Sequence, residues 1–202
     1  MEIQDENKPQ LSTTKLILAF VGMPGSGKSE ASSYLQKTGV PFIRFGQQTD
    51  EGLQAQGLRI NPENERTYRE GIRKELGMAA YAIKAKPKIE QLLKENDFIA
   101  IDGLYSWEEY VYLKKDFPNL ILVTVYTEPE KRYERLATRP IRPISKKEAR
   151  ERDITEIEKL NKAGPIAIAD YLIDNNGDLD NLHKQIDTLL QRLKVRLPND
   201  SH

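Results

Sequence analysis

Five short apolar runs, four of them closed by glycine, alternate with longer stretches of helical spacing. The runs are Lys15 to Val21, Val40 to Phe45, "DFIAIDG" (Asp97 to Gly103), "LILVTVY" (Leu120 to Tyr126) and "ADYLIDNNG" (Ala169 to Gly177). They read as buried strands. Between them, a helix is expected from Lys28 to Lys37, stopped by Gly39. Asn61-Pro62 opens helical sequence that runs to about Asn96, interrupted at Gly77 and weakened at Pro87. Ser106-x-x-Glu109, Thr127-x-x-Glu130 and Ser145-x-x-Glu148 each carry the pattern of a helix N-terminus whose hydroxyl and acid satisfy free N–H groups. A last amphipathic helix is expected from Leu179 to about Arg196. Strands separated by helices predict an α/β fold with a parallel sheet covered on both faces and joined by right-handed crossovers. Met1 to Thr14 is polar and without apolar period, so it reads as a loose tail. No internal repeat is present.

Composition narrows the chemistry more than the fold. At 202 residues the chain suits one well-buried domain, 15–198 after the tail. Thirty-one basic residues balance thirty-one acidic ones, which argues against a nucleic-acid binder and makes any positive site local. Cysteine is absent and the two histidines fall at His183 and His202, so thiol, zinc and histidine-base chemistry are not expected. No run approaches the ~18 apolar residues of a membrane span and no secretory signal opens the chain, so a cytoplasmic location is expected.

The most specific signal is "FVGMPGSGKSE". Gly22-x-x-x-x-Gly27-Lys28-Ser29 fits the phosphate-binding P-loop, or Walker A pattern, and it follows a strand and opens a helix. Backbone N–H groups of Gly22, Met23, Gly25, Ser26 and Gly27, with Pro24 shaping the same turn, would converge on an anion at the positive end of the helix dipole. Lys28 would reach the outer phosphates of ATP and Ser29 a magnesium ion, with Asp102 at the end of the third strand as the second metal-side oxygen. The competing reading of the P-loop is a glycine turn needed only for packing; for Asp102 it is an Asp-Gly turn.

Arginines form two further sets. Arg132, Arg135, Arg139 and Arg142 follow the fourth strand. Arg132 is explained by an exposed helix whose charges pair with Glu128, Glu130 and Glu134, whereas "RPIRP" holds Arg139 and Arg142 in a loop. Cations of this kind can speed phosphoryl transfer by about 10³- to 10⁵-fold. Arg44, with Arg66, Arg69 and Arg73 on one helical stripe, suits a small anionic acceptor or forms an ordinary charged face. Glu30, beside the magnesium serine, must point away from the phosphates or pair, and serves as a first-turn acid.

"VGMPGSGKSE", "IDGLYSWEEY", "YERLATRPIRP" and "IADYLIDNNGDLDNL" resemble the nucleoside monophosphate kinase-like group of P-loop kinases, near adenylate kinase and dephospho-coenzyme A kinase, and kinase-like AAA-type ATPases of bacteria and archaea. The resemblance implies a five-stranded parallel sheet in the order 2-3-1-4-5, an acceptor-binding insert at about 46–96 and an arginine lid at about 139–152. It also implies that Arg135 stacks on adenine, that Arg139 contacts phosphate, that Arg142 and Arg152 are further lid cations, and that Asn175, Asn176 and Gly177 pass beside the adenine. Gly46-Gln47 departs from the family's Gly-Asp, leaving Asp50 three residues away, and Tyr105 stands where some relatives carry an acceptor-binding arginine. Loss of that acid favours a phosphate acceptor over a sugar hydroxyl, because a phosphate needs no strong base. Three activities stay open: transfer of the γ-phosphoryl of ATP to a nucleoside monophosphate or similar acceptor held by Arg44, Gly46, Arg69, Arg73 and Tyr105; dephospho-coenzyme A phosphorylation; and a slow ATP-hydrolysing switch with a protein partner.

Overall fold

The computed structural model describes residues 15–140, 142–195 and 197. The expected tail, Met1 to Thr14, lies outside them. Strands β1 (Leu16–Val21), β2 (Phe42–Arg44), β3 (Phe98–Asp102), β4 (Leu120–Tyr126) and β5 (Tyr171–Asp174) form one sheet in the order β2-β3-β1-β4-β5. Every pairing is parallel, as the alternation predicts. Side chains of β1 alternate between two apolar layers. Ile17, Ala19 and Val21 face one, with Ile99, Ile101 and Leu122; Leu18 and Phe20 face the other, with Ala100, Val123 and Val125. Both faces are therefore buried, which explains why the strands read as unbroken apolar runs.

Helices α1 (Lys28–Lys37) and α9 (Leu179–Arg192) cover the second layer, where Ala31, Leu35, Leu182, Ile186 and Leu190 pack. α9 ends at Arg192, four residues short of the expected Arg196. The other face is covered by α4 (Ala80–Glu95) and α5 (Trp107–Asp116), through Tyr81, Ala82, Ala85, Ile89 and Leu113. The sequence from Asn61 to Asn96 thus splits in function. α4 is a sheet-covering crossover, and Pro87 sits on its exposed side. α2 (Gln47–Ala55), unanticipated, and α3 (Pro62–Leu76) precede it.

Two of the three expected Ser/Thr-x-x-Glu caps form and one does not. Ser145 and Glu148 close a full capping box on α7 (Lys146–Leu160), while Ser106 accepts from Glu109 N and Glu109 reaches back to Tyr105 N at 2.6 Å. Thr127 caps nothing. α6 (Pro129–Thr138) begins at Glu128 without a side-chain cap, because the Thr127 hydroxyl is directed at the phosphate loop. A short helix, α8 (Ala163–Ala167), follows α7 and was not foreseen.

Candidate functional site

The end of β1 runs into the P-loop at the carboxyl edge of the sheet, where a parallel fold places its ligands. Three glycines there have positive φ: Gly22 (146°), Gly25 (79°) and Gly27 (98°). Space is as restrictive as torsion. A Cβ on Gly22 would lie 2.5 Å from Val125 O, and one on Gly25 would lie 2.8 Å from Arg132 O. A Cβ on Gly27 would collide with the Asn175 amide nitrogen. The loop is therefore gripped from outside by groups on β4, α6 and the turn after β5.

Those groups are specific. Arg132 donates to Pro24 O at 3.0 Å and Thr127 O at 3.2 Å, and bonds Asp153 of α7 through both terminal nitrogens. At 5% exposure it is no solvated surface charge, which corrects the sequence reading. The acids expected to pair with it go elsewhere: Glu128 to Lys131, Glu130 and Glu134 to Lys146. The Thr127 hydroxyl lies 3.0 Å from both Ser26 O and Asn175 O, and Asn175 donates to Ser26 O at 2.8 Å. Arg135 joins the same node, donating to Thr127 Oγ1 at 3.1 Å and Asn175 O at 2.9 Å. Asn175 thus holds the loop by its side chain, while Gly177 lies near Asn181 and Asn176 accepts from Glu128 N.

Inside the loop, the Lys28 ammonium donates to Gly22 O at 2.9 Å and Met23 O at 3.1 Å. Burial of that ammonium, then the charge of Lys162, pull it down to about 7 although Asp102 opposes them. Ser29 Oγ donates to Asp102 Oδ2 at 3.2 Å. Asp102 is 5% exposed, and burial raises its carboxyl above the ordinary range against the pull of Lys28 and Ser29. The structure therefore brings together Lys28, Ser29 and Asp102. Glu30 is exposed on the first turn of α1.

Where the sequence leads one to expect the acceptor, the Tyr105 hydroxyl rests between backbone of Gly46 and Gly103, where added Cβ atoms would lie 3.2 and 2.8 Å from it. Its ring meets Tyr81 edge-on at 5.9 Å, and Arg73 stacks over Tyr81 at 5.3 Å. Arg73 Nε and Glu109 Oε1 are buried without a hydrogen-bond partner. Arg44 lies 3.8 Å from Asp50. Arg69 does not stand free: it donates to Glu65 at 3.2 Å, and Arg142 of the loop after α6 clasps the same carboxylate with both terminal nitrogens. Arg66, expected on the same stripe, is exposed. In the segment expected to form a lid, Arg139 donates to Arg142 O at 2.6 Å and Arg152 to Glu156 at 2.8 Å. Arg139, Arg142 and Arg152 repel one another; burial first, then the other two, lowers the Arg139 guanidinium below its usual range.

Sequence reasoning missed Lys162. It is 4% exposed, paired with Glu156, and lies over the Tyr105 ring at 5.5 Å from the centroid. Its only local signal is Asn161-Lys162-Ala163-Gly164, which ends α7 with Asn161 at φ 50°. Glu65 and Asp153 were missed too, and Glu109 was read only as a capping acid, since a buried carboxylate on a helix is indistinguishable in sequence from a solvated one.

Among the described residues, no helix is long and apolar enough to cross a membrane. Residues 18–156 match the family model of the AAA domain. The chain is 35% identical over 185 residues to a UPF0200 protein of Thermococcus sibiricus, covering 90% of this chain and 97% of that one. Shikimate kinase from Acinetobacter baumannii in complex with shikimate shares the fold, with a TM-score of 0.55 at 18% identity over 91% of this chain and 97% of that one. A gluconokinase from Sinorhizobium meliloti does so at 0.50 and 16%, over 94% and 98%. On the AAA-domain match, the UPF0200 relatives and the 2-3-1-4-5 sheet, the chain belongs to the P-loop nucleoside monophosphate kinase-like family.

Proposed function

We propose that this protein is an ATP-dependent phosphotransferase that moves the γ-phosphoryl to a small anionic acceptor of the nucleoside monophosphate type. The observation that carries the reading is the grouping of Lys28, Ser29 and Asp102 at one strand edge, with Tyr105, Arg44 and Arg73 on the acceptor side of Asp102. Gly22 through Ser29 would cradle the phosphates, Arg135 and the 175–177 turn would flank the base, and Arg139, Arg142 and Arg152 would line the lid. Charge spread over the moving group is met by fixed cations, so positioning and electrostatics do the catalysis. A bond from an acceptor oxygen to the γ-phosphorus forms as the bond to the β–γ bridging oxygen breaks, and the electron pair stays with ADP. A phosphate oxygen carries no proton that must first be removed, which suits a site without an acid at Gln47.

Magnesium keeps several waters and needs few protein oxygens. The adjacent Ser29 hydroxyl and Asp102 carboxylate fit that demand, whereas no group of three or more His, Cys, Asp or Glu could hold an ion by itself among the described residues. When bound, the ion would neutralise phosphate charge.

A second reading, a slow ATP-hydrolysing switch, draws on Glu65, which already neutralises Arg69 and Arg142. An ATP-consumption screen with monophosphates and dephospho-coenzyme A separates the two. Acceptor-dependent ADP formation, lost by about 10²- to 10³-fold in Lys28→Ala, is the expected result. Hydrolysis that ignores every acceptor would favour the switch, and no nucleotide binding at all would overturn both.

A further inference from the structure

Lys162 enters the site from outside the P-loop, the lid arginines and the acceptor arginines. The fold fixes its position with some care. α7 ends in the left-handed Asn161, whose amide donates to Glu108 of α5 at 2.7 Å. Gly164 then passes Trp107 so closely that a Cβ would lie 2.8 Å from the indole. Between these two anchors the Lys162 side chain is driven inward, over the Tyr105 ring and onto Glu156.

The charge so placed is expensive to bury and is only partly matched. Glu156 is shared, since it also accepts from Arg152 at 2.8 Å. Lys162 bears electrostatically on Lys28, Asp102 and Glu109, that is, on the phosphate lysine, the strand-end acid and the acceptor-side carboxylate together. The buried Lys162 ammonium and the half-buried Lys28 ammonium repel one another, and an anion that lies between them removes that repulsion. Tyr105, against which Lys162 rests, spans Gly46 and Gly103, so the ammonium stands at the boundary between the P-loop and the acceptor side.

We propose that Lys162 is a catalytic cation that contacts the transferred phosphoryl, leaving Glu156 for the γ-phosphate when ATP binds. This rests on the phosphotransferase reading above. It gives Glu156 a distinct part: a built-in carboxylate that holds the cation in place and competes with the triphosphate for it.

The two residues then act with opposite sign on the preference for ATP over ADP, because only ATP carries the γ-phosphate. Affinities for fluorescently labelled ATP and ADP, measured on the full chain, give that ratio directly. Lys162→Gln is expected to lower it by about tenfold with ADP affinity retained. Lys162→Arg, which keeps the charge, retains most of it, and Glu156→Gln, which releases the lysine, raises it. A purely structural ion pair would instead shift both affinities and the melting temperature together and leave the ratio unchanged, overturning the proposal. If Lys162→Gln fails to fold, Glu156→Gln decides when it is made on an Arg152→Gln background, since Glu156 holds Arg152 as well: a raised ratio there supports the assignment and an unchanged or lower one refutes it. If the unaltered protein binds neither nucleotide, the phosphotransferase reading itself fails; if it binds ATP but the ratio ignores residues 156 and 162, only the role of Lys162 does.

Discussion

Replacing Arg132 with methionine tests whether the P-loop is held from outside by a buried ion pair. Methionine fills much of the same volume, so the cost is electrostatic. Asp153, 7% exposed, would lose both guanidinium bonds and keep the Tyr133 hydroxyl at 3.0 Å. Stranding one member of such a pair costs about 3–5 kcal/mol. Against a total stability of about 5–15 kcal/mol, this brings the domain close to unfolding. For a chain of this size each kcal/mol lowers the melting temperature by about 2–4 °C, so a fall of about 6–20 °C is expected. Urea denaturation followed by circular dichroism and by the fluorescence of Trp107 gives the free energy. Adding Asp153→Leu removes the stranded charge, and most of the stability should return. Nucleotide affinity should not return with it, because Pro24 O has lost its donor in both variants. A single variant within about 1 kcal/mol of the unaltered protein, or a double variant no more stable than the single, would refute the clamp.

Two further tests address other buried features. Burial pushes the Glu109 carboxyl up to about 8 despite the Tyr105 N–H and the charges of Arg73 and Lys162. The unfolded chain releases that proton near pH 4.5 while the folded protein keeps it to about pH 8, so this group lowers stability as pH rises across that window, by up to about 1.4 kcal/mol per pH unit. Glu109→Gln should flatten this part of the pH profile and be more stable than the unaltered protein at pH 8; parallel profiles in urea denaturation would show that the carboxyl titrates normally. Gly27→Ala combines a φ of 98° with a collision against Asn175 and should abolish labelled-nucleotide binding, whereas Gly57→Ala, at φ 67° with nothing within 4 Å, should cost only the torsional strain of about 1 kcal/mol. Equal melting temperatures and equal nucleotide affinities for the two variants would contradict the account of the loop.

The sequence by itself determined the sheet, its parallel sense and the P-loop, because each depends on local information: apolar runs, glycines at strand ends and capping residues within one turn. β4 spans Leu120 to Tyr126 as its apolar run indicates, and α1 spans Lys28 to Lys37. Asp102 and Ser29 were legible for the same reason, since strand ends on a parallel sheet converge. What only the tertiary structure decided is which charges are buried and whom they face. Arg132 and Arg135 sit three residues apart on one helix; the first is sealed against Asp153 and Pro24, while the second reaches the Asn175 carbonyl. Glu65 drew Arg69 from its own helix and Arg142 from a distant loop, and Lys162 reached the Tyr105 ring from a helix end. The Arg132–Asp153 and Arg142–Glu65 pairs join residues 21 and 77 positions apart, and the desolvation that gives them their strength arises only once the intervening chain has packed around them.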